Sequence, residues 1–201
     1  MNRWMLGLLL SLGGCAAAQA AGDADAGQAK VAVCGACHGP YGNSLVPIFP
    51  SLAGQGERYL FKQLQDIQAG RRPVLEMTGQ LTALSTQDLA DIAAFYASQT
   101  ANASPADPAL ASMGQALYHG GRRETGLPAC SACHGPNGAG LAAAGFPQLS
   151  GQQAAYTLKQ LTGFRAGTRT NDGDATVMRT IASQLSDNDI AALAAYIQGL
   201  R

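Results

Sequence analysis

Aromatic residues make up 6% of this 201-residue chain and charged residues 13%, with a single Trp, five Cys and three His. Lys and Arg number 13 and Asp and Glu number 13. That balance excludes the basic footprint that nucleic-acid binding requires. No stretch alternates apolar and polar residues as a half-buried strand does, so the expected fold is all-α. The chain is long enough for one ordinary domain or two small ones. Two halves of about 80–90 residues would each have a thin core, a size at which small domains often depend on a staple such as a metal, a disulfide or a bound group.

Nor is there an apolar run long enough to span a bilayer as a mature helix. Trp4 to Leu12 follows Arg3 and is too short. Ala18-Gln19-Ala20 offers an A-x-A cleavage site, so residues 1–20 read as a signal peptide. Leu12-Gly13-Gly14-Cys15 competes as a lipidation signal, which would make Cys15 the modified N-terminus. The alanine-rich stretch up to Ala20 favours ordinary cleavage. Either route takes the protein out of the cytoplasm.

Outside that leader the four cysteines fall as Cys34-Gly35-Ala36-Cys37-His38 and Cys130-Ser131-Ala132-Cys133-His134. A C-x-x-C-H run reads as covalent haem attachment. One helical turn separates two thiols that match the vinyl positions of a porphyrin edge, and the next residue places an imidazole under the iron. One such run alone competes with a thioredoxin-like pair or half a zinc site. Two copies behind an export signal, with no cysteine left over, point to two covalently bound haem c groups, on Cys34, Cys37, Cys130 and Cys133, with His38 and His134 as proximal ligands.

The two runs head a longer repeat. Phe49-Pro50, Leu52, Gly54, Gln55, Tyr59 and Lys62-Gln63-Leu64 recur as Phe146-Pro147, Leu149, Gly151, Gln152, Tyr156 and Lys159-Gln160-Leu161. Met77, Leu84-Ser85 and Asp88 recur as Met178, Leu185-Ser186 and Asp189. The expected organisation is a duplicated domain, residues 21–100 and 109–201, joined by a polar linker at 101–108 that contains Pro105 and Pro108. Each copy predicts a first helix ahead of the haem motif, a middle helix (Gln55 to Ala69, Gln152 to Ala166) stopped by Gly70 or Gly167, and a last helix capped by Ser85 or Ser186. Leu89, Ile92, Ala93 and Tyr96, and likewise Ile190, Leu193, Ala194 and Ile197, fall on one face of that last helix.

Three histidines cannot make two bis-histidine haems. A methionine thioether is the natural sixth ligand, and Met/His ligation raises the reduction potential. Met77 and Met178 both stand eight residues before a serine cap, in loop-like sequence, and are the expected distal ligands; gap-filling core methionine is the alternative. Met113 reads as packing or surface, and His119 as a solvent-facing residue of the Gly-rich insertion at 119–123. Arg122 and Arg123 default to solvated positions. Pro40 and Pro136 suit rigid turns after the haem motif, and Pro50 and Pro147 suit shaping of the loop over the haem face. Tyr59 and Tyr156 read equally as propionate donors or core residues. Arg71, Arg72 and Arg169 are weaker candidates for propionate contacts.

Together these motifs resemble the cytochrome c4 family across essentially the whole mature chain: two C-x-x-C-H sites, Pro50–Gln55 and Pro147–Gln152, the methionine loops and the serine-capped final helices. The resemblance implies two class I cytochrome c domains facing each other, haems close enough to exchange electrons, and an electron carrier rather than an enzyme. It also implies a periplasmic protein, in places loosely associated with the inner membrane, passing electrons from a quinol-oxidising complex toward a terminal oxidase. An obligate cytochrome subunit of a dehydrogenase shares this architecture and stays open. A haem enzyme such as a dihaem peroxidase would need an open or displaceable iron position.

Overall fold

The computed structural model describes residues 21–102, 105 and 108–201; the leader with Cys15 and Ala20 lies outside them, as does half of the 101–108 linker. The first half contains α1 (Ala24–Gln28), α2 (Gly35–His38), α3 (Glu57–Gln68), a 3₁₀ turn at Leu75–Met77 and α4 (Thr86–Ala97). The second half contains α5 (Pro108–Gly120), α6 (Ser131–His134), a 3₁₀ turn at Ala142–Ala144, α7 (Ala154–Ala166), α8 (Val177–Ala182) and α9 (Asp187–Gly199). Extended pairing among the described residues is limited to two isolated bridges, Arg122 with Leu127 and Leu141 with Phe146.

Local chemistry accounts for the ends of these elements. Ser85 and Ser186 each form a full capping box, closed by Asp88 and Asp189, worth about 1 kcal/mol per cap. Gly167 ends α7 in the left-handed region at φ 72°. α3 and α7 begin two residues later than their sequence pattern predicts, because Gln55 and Gln152 turn away to bond the opposite half. α5 runs on through His119 and Gly120, so that histidine ends a helix rather than sitting in a loop.

Each half has its own core. Val31, Leu60, Ile92, Phe95 and Tyr96 form one; Leu117, Tyr118, Leu127, Leu185, Ile190, Leu193, Ile197 and Leu200 form the other. Burying a large apolar side chain contributes about 1.5–3 kcal/mol, so these few residues leave each core thin. The last helix crosses the first at bare backbone. A Cβ at Gly27 would lie 2.1 Å from the Asp91 carbonyl oxygen, and one at Gly114 the same 2.1 Å from that of Ala192.

The halves meet through reciprocal contacts, as a pseudo-two-fold interface requires. Gln55 Nε2 donates to the Gln148 carbonyl at 3.0 Å, and Gln148 N–H returns to Gln55 Oε1 at 2.8 Å. Gln152 Nε2 donates to the Ser51 carbonyl and Ser51 N–H to Gln152 Oε1, both at 2.9 Å. An amide side chain thus closes a small ring on each strand of contact, with all its polar atoms satisfied in a buried place.

Candidate haem-binding sites

The single turns α2 and α6 carry the two C-x-x-C-H runs. His38 N–H bonds back to the Cys34 carbonyl at 3.0 Å, and His134 N–H to that of Cys130 at 3.0 Å, so thiol pair and imidazole share one turn in each half. The turn is buttressed from behind: Ser44 Oγ donates to the Cys37 carbonyl at 2.9 Å, and the buried Tyr118 hydroxyl to that of Gly135 at 2.7 Å.

Each imidazole is oriented by the carbonyl of a matched proline. His38 Nδ1 lies 2.9 Å from the Pro50 oxygen, and His134 Nδ1 lies 2.9 Å from that of Pro147. With Nδ1–H donating, Nε2 is left as the bare nitrogen a metal needs. Burial pushes both imidazoles below their ordinary pKa, against a smaller opposing pull from those carbonyls. Pro50 and Pro147 therefore act through their backbone oxygens, a role the repeat alone did not specify. Phe49 and Phe146 stand beside the rings at centroid distances of 6.3 and 6.5 Å.

Met77 closes the 3₁₀ turn that connects α3 to α4 and is half-buried. Met178, expected in a loop, is instead the second residue of α8, also half-buried. The difference follows from the longer connection in the second half, where Asp172 and Arg179 tie the chain into a helical turn.

Between the halves lies a polar ring built from matched residues. Arg72 donates to Gln63 Oε1 (3.0 Å), the Tyr156 hydroxyl (2.8 Å) and Gln160 Oε1 (3.1 Å). Arg169 mirrors it, donating to Gln160 Oε1 (2.7 Å), the Tyr59 hydroxyl (3.1 Å) and Gln63 Oε1 (3.3 Å), and packing over Phe164. Burial alone would raise the Tyr59 phenol, but Arg169 and Arg72 outweigh it and bring the group below its ordinary pKa. The Asp66 carboxylate is held by Lys62, Arg71 and Asn171. None of the acceptors bonded to Arg72 or Arg169 is a carboxylate. Two guanidinium charges drawn into an interface on neutral partners are costly, and a bound anionic group would offset that cost. A haem, with two propionates at one edge, fits this requirement.

Two sequence candidates stand apart from this ring. Arg122 bonds Asp189 at 2.6 Å and braces the α9 cap. His119 Nε2 lies 2.9 Å from the Tyr196 hydroxyl. Gln63, Gln160, Asn171 and Asp66 were not singled out from the sequence; the repetition of Lys-Gln-Leu in both middle helices was the available signal for the two glutamines.

The family model for cytochrome c matches residues 24–100 and again 111–201. A cytochrome c4 from Pseudomonas aeruginosa is 62% identical over 200 residues, covering 100% of both chains. The chain belongs to the cytochrome c4 family. The crystal structure of reduced recombinant cytochrome c4 from Pseudomonas stutzeri superposes with a TM-score of 0.89 at 62% identity, covering 90% of this chain and 100% of that one. A thiosulfate dehydrogenase from Marichromatium purpuratum gives a TM-score of 0.79 at 31% identity, over 88% of this chain and 40% of that one. As a member of the cytochrome c4 family the protein is a dihaem electron carrier, with two covalently bound haem c groups in two tandem cytochrome c domains. The all-α duplicated fold expected from the repeat is the one observed.

Proposed function

We propose that Cys34, Cys37 and His38 hold one haem and Cys130, Cys133 and His134 the other, with Met77 and Met178 as the distal ligands. The observation that carries this reading is the matched pair of imidazoles, each with Nδ1 fixed on a proline carbonyl and Nε2 left free. Bound haem supplies a reversible one-electron iron couple. The chain's own residues do the rest. Cys34, Cys37, Cys130 and Cys133 would anchor the group against loss, His38, Met77, His134 and Met178 would hold its iron, and burial would limit water there. Arg72, Arg169, Tyr59 and Tyr156 would bind the propionates. Held by these residues, the iron would pass electrons between partners rather than act on a substrate.

The leader at residues 1–20 sends the chain to the periplasm, where residues 21–100 and 109–201 fold as the two haem domains on either side of the 101–108 linker. No helix among the described residues is long and apolar enough to cross a membrane, which suits a diffusible or peripherally attached carrier. The donor is a quinol-oxidising complex and the acceptor a terminal oxidase. A second reading, an obligate cytochrome subunit of a dehydrogenase, draws on the similarity to part of the Marichromatium purpuratum thiosulfate dehydrogenase. Purification from its native membrane and periplasmic fractions separates the two: a free monomer supports the carrier, and a fixed stoichiometric complex the subunit.

Spectroelectrochemical titration tests the ligand set. Two one-electron waves are expected. Met77→His or Met178→His should lower one wave and leave covalent attachment intact. An unchanged potential overturns the assignment of that methionine.

A further inference from the structure

The two methionine segments are held differently, although they occupy matched positions in the repeat. In the first half, Met77 ends a 3₁₀ turn closed by short-range bonds: Thr78 N–H and Oγ1 both donate to the Leu75 carbonyl, at 3.1 and 2.8 Å, and Gln80 N–H to that of Met77 at 3.1 Å. Its neighbour Glu76 pairs with Lys159 of the other half at 2.8 Å, through side chains 39% and 54% exposed. Exposed pairs of that kind hold a loop weakly.

In the second half the methionine sits in the first turn of α8, and the start of that helix is unusual. Thr176 occupies the N-cap at φ 48° and ψ 33°, the one non-glycine residue with positive φ among the described residues. A β-branched residue there is strained, and its side chain makes no capping bond. Asp172 takes over the cap from outside the helix. One carboxylate oxygen accepts the Arg179 backbone N–H at 2.9 Å, and the other accepts Arg179 Nε at 2.7 Å. The Asp172 side chain is 4% exposed. Arg179 Nη2 also reaches the Thr170 and Gly173 carbonyls at 3.3 and 3.4 Å, closing the loop on itself. Arg179 directly follows Met178, so this clamp fixes the backbone one residue from the thioether.

We propose that Asp172 is a positioning residue for Met178: with Arg179 it holds the strained turn that presents the sulfur to the C-terminal haem, while the N-terminal site has no such clamp. The inference rests on the reading of Met178 as the distal ligand. It follows that the sulfur of the second half resists displacement by an added ligand better than Met77 does.

The test uses the full-length holoprotein, with imidazole as the displacing ligand and the sulfur-to-iron charge-transfer band as readout. In the parent protein, imidazole should displace Met77 first. Asp172→Ala should weaken the grip at the C-terminal haem, so that imidazole binds there about tenfold more tightly, as expected for a lost charge-assisted hydrogen bond. Asp172→Asn keeps the shape and one acceptor, should give a smaller shift in the same direction, and serves if the alanine variant fails to fold. Adding Thr176→Gly, which relieves the strain, should recover part of the loss. Met178→Ala is the control and should remove about half of the band, one haem of two. If Met178→Ala removes that half while both Asp172 variants bind imidazole as the parent does, the clamp is refuted and the ligand assignment stands. If Met178→Ala leaves the band intact, the ligand assignment falls and the inference with it.

Discussion

Arg72 donates a hydrogen bond of 2.8 Å to the hydroxyl of Tyr156, a residue 84 positions away in the other half of the duplicated chain. Arg169 returns the contact to Tyr59. Each arginine thus belongs to one haem domain by sequence and to both by contact. Changes to either should be felt at the haems, because a buried charge acts through a medium of low effective dielectric.

Replacing Arg72 with Gln removes a positive charge from the interface and should favour the more positive, oxidised haem. Midpoint potentials should fall by on the order of tens of millivolts for a charge about 10 Å away. Arg169→Gln should act in the same direction. Spectroelectrochemical titration of both variants checks this, and potentials that stay put or rise would contradict a role for the pair at the propionates.

Gln55 and Gln152 satisfy backbone groups of the opposite half with both ends of their amides. Gln55→Ala strands the Gln148 N–H and carbonyl at a buried contact, a loss of about 1–3 kcal/mol. Urea unfolding should show a lower midpoint, and the double variant Gln55→Ala/Gln152→Ala a broadened or split transition as the halves uncouple. A double variant that unfolds like the parent would show that the reciprocal rings contribute nothing to docking.

Gly114→Ala places a methyl carbon 2.1 Å from the Ala192 carbonyl oxygen and forces α5 away from α9. Overpacking of this kind costs about 1–3 kcal/mol. The haem should remain attached while the thermal midpoint drops by several degrees in calorimetry, and an unchanged midpoint would mean the helices part without cost.

Acid stability should follow the paired carboxylates. Burial alone would raise Asp189, but bonds from Arg122 and Ser186 outweigh it and hold its pKa below the ordinary 3.8; Asp172, with Arg179, follows the same pattern. A pKa depressed on folding contributes stability that is fully present above the unfolded value and lost as pH falls through the folded one. Melting temperatures should therefore be flat above about pH 5 and fall steeply below about pH 4. Asp189→Asn should be less stable at neutral pH and lose less on acidification. A variant whose acid limb is as steep as the parent's would remove Asp189 from the account.

Much of the fold was written locally. The capping boxes at Ser85 and Ser186, the glycine stop at Gly167 and the apolar face of α4 depend on residues within a turn or two of each other, and the structure returns them as expected. The C-x-x-C-H spacing was equally legible, since two thiols and an imidazole on one helical turn need no distant help. Met178 was placed correctly in the repeat but not in its element. The helix around it depends on Asp172, whose partner Arg179 lies seven residues along the chain, beyond the reach of a one-turn capping signal.

The sequence by itself determined that there are two C-x-x-C-H turns, which helices surround them, and that the domain is duplicated. All of these rest on spacing, capping and periodicity, which act over short distances along the chain. Only the tertiary structure decided that Pro50 and Pro147 orient the histidines, that Gln55 and Gln152 lock the halves, and that Arg72 and Arg169 face each other across neutral partners. Contacts such as Arg169 with Tyr59 join positions 110 residues apart. Nothing in local sequence sets the angle at which two folded halves meet, so the interface had to be seen to be known.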